Sequence, residues 1–376
     1  CHFVQESGFS IIFQLVSRYY LLFSDLFDKL MSVILPILHN SDHEPLICAA
    51  LSILIELLYL IEIPDSFIEP LLASYIPLIQ KVSNTSKYLV INAITSLIYS
   101  SQESIRQQEV APNLIQILQE ASSHDPAQHP LIVASGIEAL SYLISFSPSE
   151  TAPIHQFTLE KIHVYLQFED ASLFSSIMLS LRSLASQFIE FINNINPQIL
   201  FGSIIKFLQF DLQKLGLETA VYSAFMEAKE TSLLLISTLA KMKPEIIVPV
   251  ISEIAKLVIN NFNTAIEEYH TLKASLKATL AVAQILSGNK EQIENFKGYI
   301  NKLIEVLVGN FESRSSETVS LSFYGFSRLI SLNLQLNESI LKTVINSAFN
   351  ALQMSLNCQQ MNDNFNEEEE EADGEI

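Results

Sequence analysis

The chain has 376 residues, of which 49 % are hydrophobic, with 9 Gly and no Trp, and its 41 acidic and 21 basic residues give a formal net charge of −20. Such an acidic surface repels phosphate backbones and attracts basic proteins, which argues against direct binding of nucleic acid. No run of residues alternates between apolar and polar side chains in the manner of a strand. We therefore predict an all-α fold.

Amphipathic helices occur in pairs that recur about every 40 residues, a period typical of solenoid repeats. A two-helix repeat of this size cannot bury its own apolar face, so its copies must stack into an α-α superhelix. We predict eight repeats, with helix pairs over residues 9–23 and 26–39, 44–62 and 66–82, 86–100 and 105–122, 131–146 and 152–166, 171–188 and 197–209, 218–242 and 244–262, 267–286 and 290–311, and 316–332 and 337–356.

Proline flanked by apolar residues marks the register of these repeats. It occurs as Pro36, Pro77, Pro112 and Pro249. Proline is tolerated in the first turn of a helix, where the amide groups have no internal partner. We therefore place each of these prolines one turn into the second helix of its repeat.

A mean hydropathy of +0.31 raises the question of a membrane span. The best candidate, residues 46–63, carries Glu56 and Glu62 and is bounded by Pro45 and Pro64. A charge near the middle of a lipid-facing helix is costly, whereas it is tolerated at the edge of a stacked helix. We predict no membrane span.

The last 21 residues differ from the rest of the chain. Residues 356–376 hold eight acidic residues and no Lys or Arg, which leaves 33 acidic against 21 basic residues in residues 1–355. We predict a repeat domain over residues 1–355 and an acidic disordered segment, or truncated acidic loop, over 356–376, because a charge run with few apolar groups cannot offset its ordering entropy. The contiguous carboxylates of Glu367, Glu368, Glu369, Glu370 and Glu371 are either a solubilising tail or an anion that attracts a Lys/Arg-rich partner.

Polar residues fall on one face of the second helices of the last three repeats, at spacings of three, four and seven. Stacking would align these stripes into a polar lining, although a solvated outer face explains them more simply. The stripes are Glu253, Lys256 and Asn260; Lys302, Glu305 and Glu312; and Lys342, Asn346, Asn350 and Gln353.

Catalytic and metal-binding patterns are missing from the sequence. No nucleophile, base and orienting group can be proposed together, so we predict no enzyme, cofactor or metal site. We interpret the charged residues of Met226-Glu227 and Lys229-Glu230 as a cluster at the start of a helix. We predict that the 23 Phe and 12 Tyr residues belong to the core. Three distant cysteines indicate a reducing compartment, and because the first residue is Cys we expect a piece of a longer polypeptide.

Paired helices with a proline in the second helix, followed by an acidic run, resemble importin-β-type nuclear transport receptors built from HEAT repeats. The stretches 226–233 and 272–280, followed by the acidic run at 367–371, look most like the importin-4 and importin-5 group. The resemblance implies a central fragment of a receptor that shuttles between cytoplasm and nucleus and contacts nucleoporins. Such a receptor binds basic cargo, such as ribosomal proteins or histones, and releases the cargo when Ran GTPase binds in its GTP form.

The resemblance also implies a site. Residues 367–371 would contact cargo or Ran, and Glu253, Asn260, Glu305, Asn346 and Asn350 would line the cargo surface. The alternative function is a HEAT-repeat scaffold that holds other proteins together without Ran.

Overall fold

A computed structural model describes residues 2–61, 63–101, 112–211, 219–264, 269–288, 293–313, 315–330, 338–350 and 353. Sixteen helices occur in these residues: α1 His2–Asn40, α2 Glu44–Leu60, α3 Ile68–Lys81, α4 Asn84–Ser100, α5 Pro112–Ala121, α6 Pro130–Phe146, α7 Ala152–Tyr165, α8 Ala171–Gln187, α9 Ile189–Ile192, α10 Pro197–Gln209, α11 Thr219–Met242, α12 Ile251–Thr264, α13 Tyr269–Gly288, α14 Ile293–Gly309, α15 Ser316–Ile330 and α16 over 338–350. No strand occurs among them. The predicted all-α superhelix is confirmed.

The helices form two compact bodies. The N-terminal body is Cys1–Ile246 and the C-terminal body is Ile247–Ile376. Most helix ends agree with the predicted ends to within a few residues. Larger differences lie at α12, which begins at Ile251 where a helix was predicted from residue 244, and in α1, which begins at His2 and has a kink at Tyr19 (φ −131°, ψ 35°), earlier than the break predicted between residues 23 and 26.

The pairing of helices differs from the prediction by one helix in much of the chain. Each proline-bearing helix packs on the helix that follows it: α1 on α2, α3 on α4, α5 on α6 and, in the C-terminal body, α12 on α13. These prolines therefore mark the first helix of a hairpin, not the second. Helix α10 packs on α11 in the same way, whereas α7 contacts both α6 and α8, and α14 contacts both α13 and α15, so the predicted pairs α6/α7 and α13/α14 are also in contact.

Pro36 and Pro77 lie well inside α1 and α3, so the position predicted for these two prolines in the first turn of a helix is also wrong. Pro112, by contrast, begins α5, and Pro249 lies in a 3₁₀ turn just before α12. Pro36 and Pro77 are exposed, and so are the residues four positions earlier, so the backbone carbonyls that lose their helical partner face water, which can satisfy them.

One row of helices in the N-terminal body is packed more tightly than the other. Helices α2, α4, α6, α8 and α11, here called the inner row, pack each on the next. Within the described residues, α3, α5, α7 and α10 contact one another far less. A stack of hairpins curves toward its more closely spaced row, so the inner row lines the concave side of this body.

Small side chains allow this close approach. Ala93, Ala139 and Ala228 are fully buried, and buried serines accompany them, among them Ser96 and Ser232. These serine hydroxyls donate to backbone carbonyls of their own helix, which satisfies them without a partner across the seam. Leu and Ile side chains fill the space between the two rows.

Ion pairs join successive hairpins at their turns. Lys81 at the end of α3 lies 2.8 Å from the carboxylate of Asp42 in the α1–α2 turn. Lys206 of α10 forms the equivalent pair with Glu169 in the α7–α8 turn. Both acids are exposed, and the hydrogen bond from the lysine holds the pKa of each carboxyl below its ordinary value. Pairs in this position fix the register between hairpins more than they stabilise the fold.

Candidate functional site: an aromatic and acidic face of the inner row

Three tyrosines line up on successive helices of the inner row. Tyr59 of α2, Tyr99 of α4 and Tyr142 of α6 lie 40 and 43 residues apart, at equivalent places near the ends of their helices. The ring centroids are 5.3 Å apart between Tyr59 and Tyr99, and 5.6 Å apart between Tyr99 and Tyr142. We call these three residues the tyrosine ladder. Phe146 stacks on Tyr142 at 5.8 Å and extends the ladder along α6.

The ladder is a surface and not part of the core, contrary to the prediction that the tyrosines are core residues. Tyr59 is 41 % exposed and Tyr99 is 39 % exposed, and Tyr142 is partly exposed. The α-helical period explains the arrangement, because the ladder positions lie at the edge of the buried stripe of each helix, where a long side chain reaches solvent. Tyr75, Tyr165 and Tyr299, by contrast, are buried as predicted.

A carboxylate lies beside the ladder. Glu138 is one turn before Tyr142 on α6 and is only partly exposed. The hydroxyl of Ser176 on α8 lies close enough to lower the pKa of its carboxyl. The neighbouring Ser175 donates a hydrogen bond to Oε1 of Glu227 on α11 at 3.0 Å. Adjacent serines of α8 thus face carboxylates that come from the helices on either side.

Burial and a like charge weaken the acidity of Glu138. Loss of solvent and, to a smaller extent, the negative charge of Glu227 together raise the pKa of its carboxyl to about 7, against the opposing effect of the Ser176 hydroxyl. Burial also raises the pKa of the Tyr59 and Tyr142 hydroxyls, and Glu138 adds to both shifts. In the part of the chain that the structure describes, no Lys or Arg offsets the charge of Glu138. The carboxylate therefore lacks a counter-ion.

Arg182 of α8 lies at the next ladder position, 40 residues after Tyr142. Its positive charge acts on the Tyr142 hydroxyl, where it opposes the effects of burial, Glu138 and Tyr99 on the pKa of that group. Along the inner row from α2 to α8, this face therefore carries three aromatic rings followed by a guanidinium.

The predicted polar stripes lie in the C-terminal body, on the first helices of its hairpins. Glu253 and Asn260 are exposed on α12, and Glu305 is exposed on α14. Since α12 and α14 pack on one another, the structure brings these two stripes onto neighbouring helices. Asn346 and Asn350 are exposed on α16. Several predicted features lie outside the described residues. These are the run from Glu367 to Glu371, the domain boundary at residue 355 and the residues on both sides of Gln353.

Sequence reasoning did not find the tyrosine ladder or the role of Glu138. The signal was present, because tyrosine recurs at Tyr59, Tyr99 and Tyr142 with the repeat period. It becomes visible when the sequences of α2, α4 and α6 are aligned with one another. Glu227 was noted, but as a helix-start charge; it accepts a hydrogen bond from a neighbouring helix instead.

Two further properties bear on the kind of site. No helix among the described residues has both the length and the apolar character needed to cross a bilayer. In the same residues, no three His, Cys, Asp or Glu side chains are grouped so that they would hold a metal ion.

Compared by sequence, the chain matches no protein-family model and no curated protein. Compared by structure, it is similar to a Kap121p mutant, with a TM-score of 0.70 and 12 % identity over 95 % of this chain and 37 % of the other. It is similar to yeast importin-β (Kap95p), with a TM-score of 0.54 and 15 % identity over 88 % of this chain and 38 % of the other. The chain thus spans less than two fifths of these karyopherins.

An engineered protein is also similar, with a TM-score of 0.51 and 17 % identity over 72 % of this chain and 100 % of the other. A natural receptor and an engineered chain therefore share the same stacking of hairpins. At these identities the likeness defines the fold, a HEAT-type superhelix of the kind that karyopherins have, and leaves function to the site.

Proposed function

We propose that the chain is part of a nuclear transport receptor of the importin-β type, which binds basic cargo proteins on an acidic surface and releases them when RanGTP binds. The observation that carries the proposal is the likeness to Kap121p at a TM-score of 0.70, which extends over 95 % of the chain. The net charge of −20 supports it, because cargo rich in Lys and Arg is attracted and steered by an acidic surface.

The proposal includes the partners and places that such a receptor has. These are basic cargo of the ribosomal-protein or histone type, Ran GTPase, nucleoporins, and shuttling between cytoplasm and nucleus. It assigns cargo or Ran contacts to the acidic run at 367–371 and to Glu253, Asn260, Glu305, Asn346 and Asn350. Their exposure on α12, α14 and α16 is compatible with that role. A closer kinship with the importin-4 and importin-5 group is part of the same proposal.

The test measures binding of a fluorescent basic import signal, taken from a ribosomal protein, to the 376-residue chain by anisotropy. RanGTP is then added, with RanGDP as the matched control. We expect binding that RanGTP reverses and RanGDP does not. Because the chain spans less than two fifths of the karyopherins that it resembles, the same assay is run on the longer polypeptide if one contains it.

Two results would contradict the proposal. Failure to bind any basic signal at low salt would remove the receptor function. Tight binding that neither form of Ran changes, in the longer polypeptide as well, would identify a scaffold for protein assembly instead.

A further inference from the structure

The tyrosine ladder has the features of a binding surface. Aromatic side chains that are buried need no explanation, but Tyr59 and Tyr99 keep about 40 % of their surface in solvent while their rings contact one another. Exposed aromatic side chains in a continuous row are typical of recognition surfaces, because rigid rings give a large contact area at a low cost in conformational entropy. The ladder also lies on the concave side of the N-terminal body, where an extended partner would contact several helices at once.

The charge beside the ladder selects the kind of partner. The negative charge of Glu227 acts on Glu138, and among the described residues no Lys or Arg acts on the Glu138 carboxyl, although the guanidinium of Arg182 acts on the neighbouring Tyr142. A partly buried carboxylate of this kind is costly until a cation pairs with it. Lysine and arginine both supply the charge. Only arginine adds a planar group that stacks on tyrosine rings and donates two parallel hydrogen bonds to a carboxylate.

The spacing of the rings suits an extended peptide. Side chains on one face of an extended chain are about 6.6 Å apart. The ladder centroids are 5.3 and 5.6 Å apart. An arginine beside Glu138 therefore leaves its neighbours on the same face of the peptide over Tyr99 and Tyr59.

We propose that the tyrosine ladder and Glu138 bind an arginine-containing, extended segment of a basic partner protein. This inference rests on the proposed function in so far as the partner is cargo, and it adds to it a specific site, in the N-terminal body, and a preference for arginine over lysine. The rings stack on the guanidinium groups, and Glu138 pairs with one of them.

The experiment compares three nine-residue peptides that alternate Gly with Arg, Lys or citrulline. Citrulline keeps the planar shape of arginine but is uncharged. Titration calorimetry on the full 376-residue chain measures the dissociation constants. We expect the arginine peptide to bind about 10-fold more tightly than the lysine peptide, which a single cation–π contact and a bidentate pair can supply. The citrulline peptide should bind most weakly.

Variants locate the binding. The double change Tyr59→Leu with Tyr99→Leu should lower affinity for the arginine peptide to that for the lysine peptide and leave the lysine value unchanged. Glu138→Gln should weaken the arginine peptide about 5- to 10-fold. The matched controls are Tyr324→Leu, an exposed tyrosine of α15, and Glu69→Gln, an exposed glutamate of α3, neither of which lies on the inner row. Circular dichroism checks that each variant is folded.

Equal binding of the arginine and lysine peptides, or ladder variants that bind like the wild-type chain, would overturn the inference. Ladder variants that still bind the basic import signal in a RanGTP-reversible way would overturn it alone and leave the proposed function standing. Arginine-selective binding at the ladder that Ran does not affect would support the inference and contradict the proposed function. Sedimentation that shows a dimer dissociated by Tyr59→Leu with Tyr99→Leu would make a second copy the occupant, and so also contradict the inference.

Discussion

Glu138 is a residue at which the requirements of ligand binding and of stability oppose one another. Glu138 lies on α6, one turn before Tyr142, and is only partly exposed. An apolar or amide side chain at this position would cost the fold less, because it carries no charge to desolvate. A residue that lowers stability and is nevertheless well placed for a ligand has the properties expected of a functional position.

The stability of the chain should therefore depend on pH through Glu138. In the folded state the pKa of its carboxyl is about 7, against 4.5 ordinarily, so the unfolded chain releases this proton first as pH rises. Stability is lost between about pH 4.5 and pH 7, and the loss is constant above pH 7. Glu138→Gln should raise the free energy of unfolding at pH 8 by on the order of 1–3 kcal/mol, after allowance for partial exposure.

Urea unfolding of both chains at pH 8 and pH 4.5 measures this effect. The gain should nearly disappear at the lower pH, where the wild-type carboxyl is protonated in the folded state and half protonated in the unfolded state. Glu69→Gln, on an exposed face of α3, serves as the control and should change little at either pH. An equal gain at both pH values would show that the substitution acts through packing and not through charge.

At the scale of the helix, close approach depends on the absence of a side chain at particular positions. A methyl group added to Gly136 of α6 would lie 2.7 Å from Oγ and 2.9 Å from the backbone nitrogen of Ser122. The carbonyl of Ser122 in turn accepts a hydrogen bond at 2.9 Å from the buried hydroxyl of Tyr165. The end of α5 is thus fixed from two sides, by α6 and by α7.

Gly136→Ala should lower the free energy of unfolding by about 1–3 kcal/mol, because the backbone of Ser122 must move to admit the methyl group. Gly202 is the matched control, since it is a helical glycine of α10 with no atom within 4 Å of an added methyl group. There the change to alanine should raise stability by about 0.5–1 kcal/mol through helix propensity. Chemical unfolding of the two variants should give opposite signs, and a shared sign would contradict this account of Gly136.

The helices themselves were predictable, whereas their partners were not. Apolar periodicity and start signals such as Asp170, which caps α8, and Asn196, which caps α10, act within a few residues along the chain. The pairing was shifted because the prolines were assigned to a first turn, and Pro36 and Pro77 occupy exposed positions inside their helices. Local sequence does not distinguish these two placements.

The ladder could not be predicted for a related reason. Its rings come from residues 40 and 43 positions apart, and their contact depends on how closely neighbouring helices pack. Likewise the contact between Glu227 and Ser175 joins residues 52 positions apart. Distances between helices follow from the small residues buried in the seam, which periodicity alone does not separate from the rest of the core.

For the whole molecule, the charge is the property with the widest effect. The net charge of −20 is spread over the chain, with eight acidic residues in residues 356–376 and the others among residues 1–355. Attraction between this surface and a basic partner acts over about 8–10 Å at physiological ionic strength and is screened by added salt. Affinity that comes from many weak contacts of this kind responds strongly to salt.

The dissociation constant for a basic import signal should rise steeply between 50 and 150 mM NaCl, values chosen so that the Debye length falls from about 14 to 8 Å. Removal of residues 362–376 should weaken binding of cargo or Ran and leave the helical circular dichroism signal unchanged. Anisotropy at several salt concentrations, with and without residues 362–376, measures both. A flat salt response would rule out charge as the source of affinity, and loss of helicity would show that these residues are part of the fold.

The absence of tryptophan gives the ladder a practical consequence. With no Trp to dominate emission, the ultraviolet fluorescence of the chain comes from its 12 tyrosines. Rings only 5.3 and 5.6 Å apart exchange excitation readily, so light absorbed by one member of the trio is emitted by another with altered polarisation. A guanidinium or any other ligand group that binds on these tyrosine rings would change their fluorescence emission directly. The molecule thus carries an intrinsic fluorescent reporter at the place where we expect a ligand to bind.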